Sequence, residues 1–303
     1  MVFALPTRTI VAAVGTVILL ICRLWFLSVD QSFSSNYQNN VITAITNEST
    51  AQDTIISAEG IFLQYARSGT PITDKVTEHD YQIMYGQFLL PFYERKPQMK
   101  MLEIGLGCDM KYGPGASVTL WKKLFPLADL WEAEFDGACV ERSKQQGQLD
   151  GLNVLVGDQM DIVTLDKWVN QTQGANFDVV IDDGGHQQCQ IWTTFQKLWP
   201  RLLPGGLYFI EDLQVSRSKN YSGRNSSPLC EKNTNVPDEL KQMIDDMIHR
   251  SVKDVKFIFC QRDACVLGKQ GRLEADAPSS YEDIFLQYAR SGNPPITDKV
   301  TKD

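Results

Sequence analysis

The sequence predicts an α/β fold built on an open, mostly parallel sheet, and three observations carry that prediction. From about residue 98, short apolar runs alternate with amphipathic helical patterns, the signature of βαβ units. Most of these runs end in glycines or acids, and the carboxyl ends of the strands are where such sheets gather ligands. Hydrophobic residues at 43% and charged residues at 22% of 303 residues allow a large buried core, which excludes disorder, collagen and a multi-span membrane protein for the bulk of the chain.

The amino-terminal part reads differently. Residues 9 to 29 form an apolar stretch of membrane-spanning length, interrupted only by Arg23. No small-residue cleavage site follows it, so it is expected to be an uncleaved signal anchor, with a cleaved signal peptide as the alternative. Residues 30 to 58 are rich in Ser, Asn, Gln and Thr and read as a stem. Asn-x-Ser/Thr sequons at Asn47, Asn170, Asn220 and Asn225 add weak support for glycosylation and for a catalytic part facing the lumen of the ER or Golgi, or secreted. Residues 59 to 97 read as a helical segment leading into the main domain, 98 to 272.

Strands are expected at 99 to 105, 128 to 135, 152 to 158, 177 to 183 and 206 to 212, with amphipathic helices at 116 to 125 and 189 to 203 between them. Trp192, Phe195 and Trp199 share one face of the second helix and read as core. A further helix spans 237 to 252. Two apolar runs, 255 to 260 and 264 to 270, are separated only by Gln261, Arg262 and Asp263, which predicts an antiparallel hairpin at one sheet edge. The tail, 273 to 303, repeats the start of the helical segment: residues 61 to 77 recur at 284 to 301 with one substitution and one added proline, which reads as a duplication.

A net charge of -8 argues against a nucleic-acid partner. The seven cysteines show neither a CxxC pair nor zinc-ligand spacing, and at most one disulfide is expected among Cys230, Cys260 and Cys265.

The chemistry concentrates at the strand ends. The first strand ends Glu103-Ile-Gly105-Leu-Gly107, where glycines let a ligand approach the backbone and the next helix start adds donors. Glu134 and Asp158 follow the next two strands, and a carboxylate there can accept ribose hydroxyls, with Asp136 as a competitor. The fourth strand ends Asp182-Asp183-Gly184-Gly185-His186 and the fifth Glu211-Asp212. Asp183, Glu211 and Asp212 would emerge on one sheet edge, suited to Mg²⁺ or a similar divalent ion that offsets their repulsion. His186 beside them suits proton removal near neutral pH.

These motifs resemble a known group. LEIGLG, GPGAS, LWKKLFP, GDQ, VVIDDGGH and LLPGGLYFIEDLQ, with TDKVTEHDYQIMYGQFL before them, are similar to class I S-adenosylmethionine-dependent methyltransferases, and within these to the metal-dependent O-methyltransferases of macrolide sugars. The resemblance covers about residues 70 to 215. It implies a Rossmann-like, seven-stranded sheet whose last hairpin is antiparallel. It also implies that Glu103, Gly105, Gly107, Glu134 and Asp158 hold the methyl donor, that Asp183, Glu211 and Asp212 hold Mg²⁺, and that His186 is the general base for methylation of a sugar hydroxyl. Three other readings are weaker. A nicotinamide-dependent oxidoreductase lacks its third glycine, because position 110 is Met, and its acid would come later than the usual spacing of about 20 residues. A glycosyltransferase would want a spaced acidic pair. A non-catalytic membrane-tethered binding protein would not need the metal triad and His186 together.

Overall fold

A computed structural model describes residues 57–222, 226–231 and 233–271. The apolar stretch 9 to 29, nearly all of the stem, and the tail repeat lie outside the described residues. Seven strands form one sheet: β1 Lys100–Ile104, β2 Asp129–Glu134, β3 Asn153–Val156, β4 Val179–Asp182, β5 Leu207–Ile210, β6 Val255–Cys260 and β7 Cys265–Lys269. Their order is β3-β2-β1-β4-β5-β7-β6. β1 to β5 pair in parallel, whereas β7 runs antiparallel to both β5 and β6. This is the fold expected from the sequence. In the hairpin, Cys260 pairs with Cys265 and Gln261 N donates to Ala264 O, so the turn closes on Arg262 and Asp263.

The helices named below are α1 Ala58–Arg67, α2 Asp74–Thr77, α3 Gln82–Met84, α4 Leu90–Arg95, α5 Ala116–Leu124, α6 Gly137–Gln145, α7 Ile162–Gln171, α8 Gln188–Leu198 and α9 Val236–Ile248. Central strands are buried on both faces, as a sheet covered by helices on each side requires. Alternation along each strand sorts its side chains. Leu102, Ile104, Tyr208 and Ile210 join one core with Leu165, Trp168, Trp192, Phe195 and Trp199 of the α7, α8 and α9 side. Met101, Leu207 and Phe209 join the other with Phe62, Tyr85, Phe92 and Trp121. Trp192, Phe195 and Trp199 stack in a row at centroid spacings of 5.2 and 5.3 Å, so these aromatics are core. Residues 57 to 97 pack into the same compact unit as the sheet.

Two expectations need correction. Among the described residues there are three disulfides: Cys260–Cys265 falls within the expected set of Cys230, Cys260 and Cys265, whereas Cys108–Cys139 and Cys189–Cys230 were not expected. Long sequence separations, 31 and 41 residues for the latter two, hide such pairs from spacing arguments. As for membrane insertion, no helix among the described residues is long and apolar enough to cross a bilayer. The longest of them, α9, has 13 residues, about 20 Å against the roughly 30 Å of a hydrocarbon core.

Candidate active site

The chain leaves β1 toward one side of the sheet and returns for β4 on the other, so the ends of β1 and β4 flank the topological switch point where ligands bind in open α/β sheets. A cleft of about 760 Å³ opens there, in the usual range for a small-molecule site. Its walls include Gly105, Gly107, Glu134, Asp158, Asp183, His186 and Asp212. Seven of the nine residues singled out from the sequence therefore share one cavity.

The glycine turn is fixed by backbone contacts. Gly105 has φ +112 and donates its N–H to Ala133 O at 2.8 Å, while Asp183 N donates to Ile104 O at 3.0 Å. A Cβ on Gly105 would lie 2.0 Å from the Asp183 carbonyl oxygen. Only glycine permits both that φ and that approach. Gly115, at φ +84, then caps α5 without a side-chain bond, so the first amides of α5 are left for a ligand, and Ala116 and Ser117 line the cleft.

Glu134 Oε2 accepts from Leu106 N at 3.1 Å and Oε1 from Asp136 N at 2.9 Å, which holds its carboxylate at the cleft wall with lone pairs to spare. Asp136 is spent otherwise: it is the N-cap of α6, accepting from Ala138 N and Cys139 N. Asp158 Oδ1 accepts from Met160 N at 2.8 Å. Glu103 is placed elsewhere. It is fully buried against α5, accepting from Ser117 Oγ at 2.7 Å and Trp121 Nε1 at 2.8 Å, and it does not line the cleft.

One ligand atom each from Asp183, His186 and Asp212 lies within 4.8 Å of the others. His186 Nε2 is 3.3 Å from Asp212 Oδ2. The two carboxylates suit a divalent cation of the Mg²⁺ or Mn²⁺ kind, with the imidazole beside them. Glu211 sits behind them, 1% exposed, with Oε2 at 2.7 Å from Lys75 Nζ and Oε1 accepting a short hydrogen bond from the Tyr85 hydroxyl. Burial pushes the Glu211 carboxyl well up, and the Asp183 charge pushes the same way while Lys75 opposes them.

The sequence reading passed over the residues that hold this cluster. Gln159, buried, donates to Asp182 Oδ1 at 2.9 Å and accepts from Gly185 N at 2.9 Å, tying the ends of β3 and β4 together. Tyr81 donates to Asp212 Oδ1 at 2.8 Å and stacks on His79, whose Nε2 is 3.4 Å from the same oxygen and whose Nδ1 is 3.2 Å from Asp263 Oδ2. Lys75, His79 and Tyr81 all lie in the TDKVTEHDY stretch, where three uncompensated strand-end acids were the signal that a cation should be sought.

Asp182 makes its own prediction. Its carboxyl is pushed up to about 6, chiefly by burial, with the Gln159 hydrogen bond and His186 opposing. A raised carboxyl favours the folded state fully below the unfolded value, about 4, and that contribution is lost as pH rises through about 6. Asp182→Asn keeps an acceptor for Gln159 and should therefore be more stable than the parent at pH 7, by about 1 to 3 kcal/mol, with the difference gone at pH 4. Denaturant melts across that range check it; an equal difference at both pH values would contradict the burial argument.

No protein-family model matches the chain. Among curated proteins it is similar to a tetracenomycin rhamnosyl 2'-O-methyltransferase of Streptomyces olivaceus, 32% identical over 50% of this chain and 38% of that protein. It is also similar to the mycinamicin VI 2''-O-methyltransferase of Micromonospora griseorubida, 32% identical over 52% of this chain and 37% of that protein. The chain thus spans well under half the length of these relatives. Among solved structures it is similar to the MycE methyltransferase of the mycinamycin pathway in complex with Mg, SAH and mycinamycin VI, at TM-score 0.55 and 25% identity, covering 74% of this chain and 57% of that one. The resemblance to macrolide-sugar O-methyltransferases read from the motifs stands, and the fold is theirs. The expected single-pass membrane location with a lumenal catalytic part is overturned: the similar proteins are enzymes of Streptomyces and Micromonospora, bacteria without ER or Golgi.

Proposed function

We propose that the chain is a metal-dependent O-methyltransferase that moves the methyl group of S-adenosylmethionine to a hydroxyl of a sugar or glycosylated small molecule. The observation that carries this reading is the meeting of Asp183, His186 and Asp212 in the same cleft as the glycine turn and Glu134. Gly105 and Gly107 let the donor approach the backbone, the free amides of α5 suit its carboxylate, and Glu134 and Asp158 suit its hydroxyls. Glu103 supports the α5 wall from behind. Asp183 and Asp212 would hold the divalent ion, with Glu211 as their inner neighbour.

When bound, the sulfonium supplies an activated methyl group and the ion lowers the proton affinity of the acceptor hydroxyl. The chain's part is to align and to take the proton. His186 is the general base. The Asp212 carboxylate, 3.3 Å from Nε2, stabilises the imidazolium formed when His186 takes the hydroxyl proton. Gln159 and the Gly184-Gly185 turn keep His186 in place, because side chains on those glycines would collide with Gln159 and Gln190. No acid is required, since the thioether leaves neutral.

Calorimetric titration with S-adenosylmethionine, followed by transfer of labelled methyl to rhamnosyl and macrolide glycosides, tests the reading. The donor should bind, and transfer should stop in EDTA and return with Mg²⁺. A chain that binds no donor, or transfers equally well in EDTA, is not this enzyme.

A further inference from the structure

Lys75 is 1% exposed, yet its ammonium is the meeting point of three strand ends. Nζ lies 2.6 Å from Asp183 Oδ2, 2.7 Å from Glu211 Oε2 and 3.3 Å from Glu103 Oε1. An ammonium has three hydrogens to donate, and three carboxylates from the tips of β1, β4 and β5 surround it. With carboxylate oxygens of three different residues within 3.3 Å, Nζ sits in a cage of acceptors that suits a charged ammonium. Its position follows from a single turn: α2 has only four residues, capped by Thr73, and Tyr81 and His79 on the same stretch reach Asp212. Of the three carboxylates, Glu103 and Glu211 are sealed, whereas Asp183 is 22% exposed and lines the cleft.

We propose that Lys75 is a positioning residue: a built-in cation that neutralises the inner acids, takes Glu211 and one oxygen of Asp183 out of competition, and so limits which carboxylate oxygens a divalent ion can use at the cleft. The inference rests on the metal-dependent reading given above. Its consequence has an unusual sign. Removing a fixed positive charge from among the acids strengthens the pull on a cation, while the freed oxygens of Glu211 and Asp183 draw that cation from its working ligands. Metal binding should tighten as turnover falls.

The test uses the full chain and its Lys75→Met and Lys75→Arg variants, each titrated with Mn²⁺, with the free ion read by electron paramagnetic resonance, and each melted in EDTA and in excess Mn²⁺. Lys75→Met should bind Mn²⁺ about tenfold more tightly than the parent, and Lys75→Arg, which keeps the charge, within about threefold of it. Lys75→Met should melt lower in EDTA and recover in Mn²⁺; folding only when Mn²⁺ is supplied would be the extreme of the same result. Unchanged or weaker Mn²⁺ binding by Lys75→Met, a melting deficit equal in both buffers, failure to fold in both, or a parent that binds no Mn²⁺ overturns the proposal. Failure of the methyl-transfer reading would show instead as a parent that binds no S-adenosylmethionine, which leaves these metal measurements intact.

Discussion

Gly105→Ala should abolish donor binding and cost about 3 to 5 kcal/mol of stability, roughly 10 °C in melting temperature for a domain of this size. Two effects add at this position. An alanine is strained at φ +112, and its methyl would lie 2.0 Å from the Asp183 carbonyl oxygen, backbone that has no rotamer to escape into. Relief requires the tips of β1 and β4 to separate, which opens the glycine turn and displaces Asp183 together. Gly113→Ala is the control: its φ is +88, but nothing lies within 4 Å of the added carbon, so only the conformational cost remains, about 1 kcal/mol. Calorimetry with S-adenosylmethionine and thermal melts of both variants check the ordering. Donor affinity preserved in Gly105→Ala would mean that the strand tips do not shape the donor site.

His186→Asn should lower turnover on the order of 10² to 10⁴ while leaving donor affinity within about threefold, as loss of a general base does when the binding walls are untouched. Asparagine suits the test because His186 has φ +53, a left-handed conformation that asparagine tolerates. A truncation that also disturbed the backbone would blur the result. Single-turnover transfer at saturating Mg²⁺ separates the chemical step from binding. Turnover within about threefold of the parent would move the base elsewhere, and His79, held between Asp212 and Asp263, is the next imidazole in the cleft.

Much of this architecture was legible because it is local. Runs such as 177 to 183 carry their own burial pattern, and the short link at 261 to 263 specifies a hairpin. The strand-end acids followed from the same reading, since consecutive parallel strands deliver their carboxyl ends to one edge. What escaped was set by parity and by long-range pairing. Glu103 precedes the glycine turn by two residues and alternates with Leu102 and Ile104, so its side chain belongs to the face covered by α5 and meets Trp121. Asp136 begins a helix and is consumed by capping it. Lys75 meets Asp183 and Glu211 across separations of 108 and 136 residues, and no periodicity records such a meeting. The crowded acids had been read as a demand for a divalent ion alone, although a lysine satisfies part of that demand from within.

Asp212, like His186, holds a left-handed backbone, at φ +54. Both non-glycine residues are kept in a sparsely populated conformation by Tyr81, Gln188 and the neighbouring strand tips. Relatives released from the need to turn over substrate would drift first at these two positions, toward glycine or asparagine, and would outlast the active chain on heating. A silent descendant of this protein would thus be recognised by the comfort of its backbone where the working one is tense.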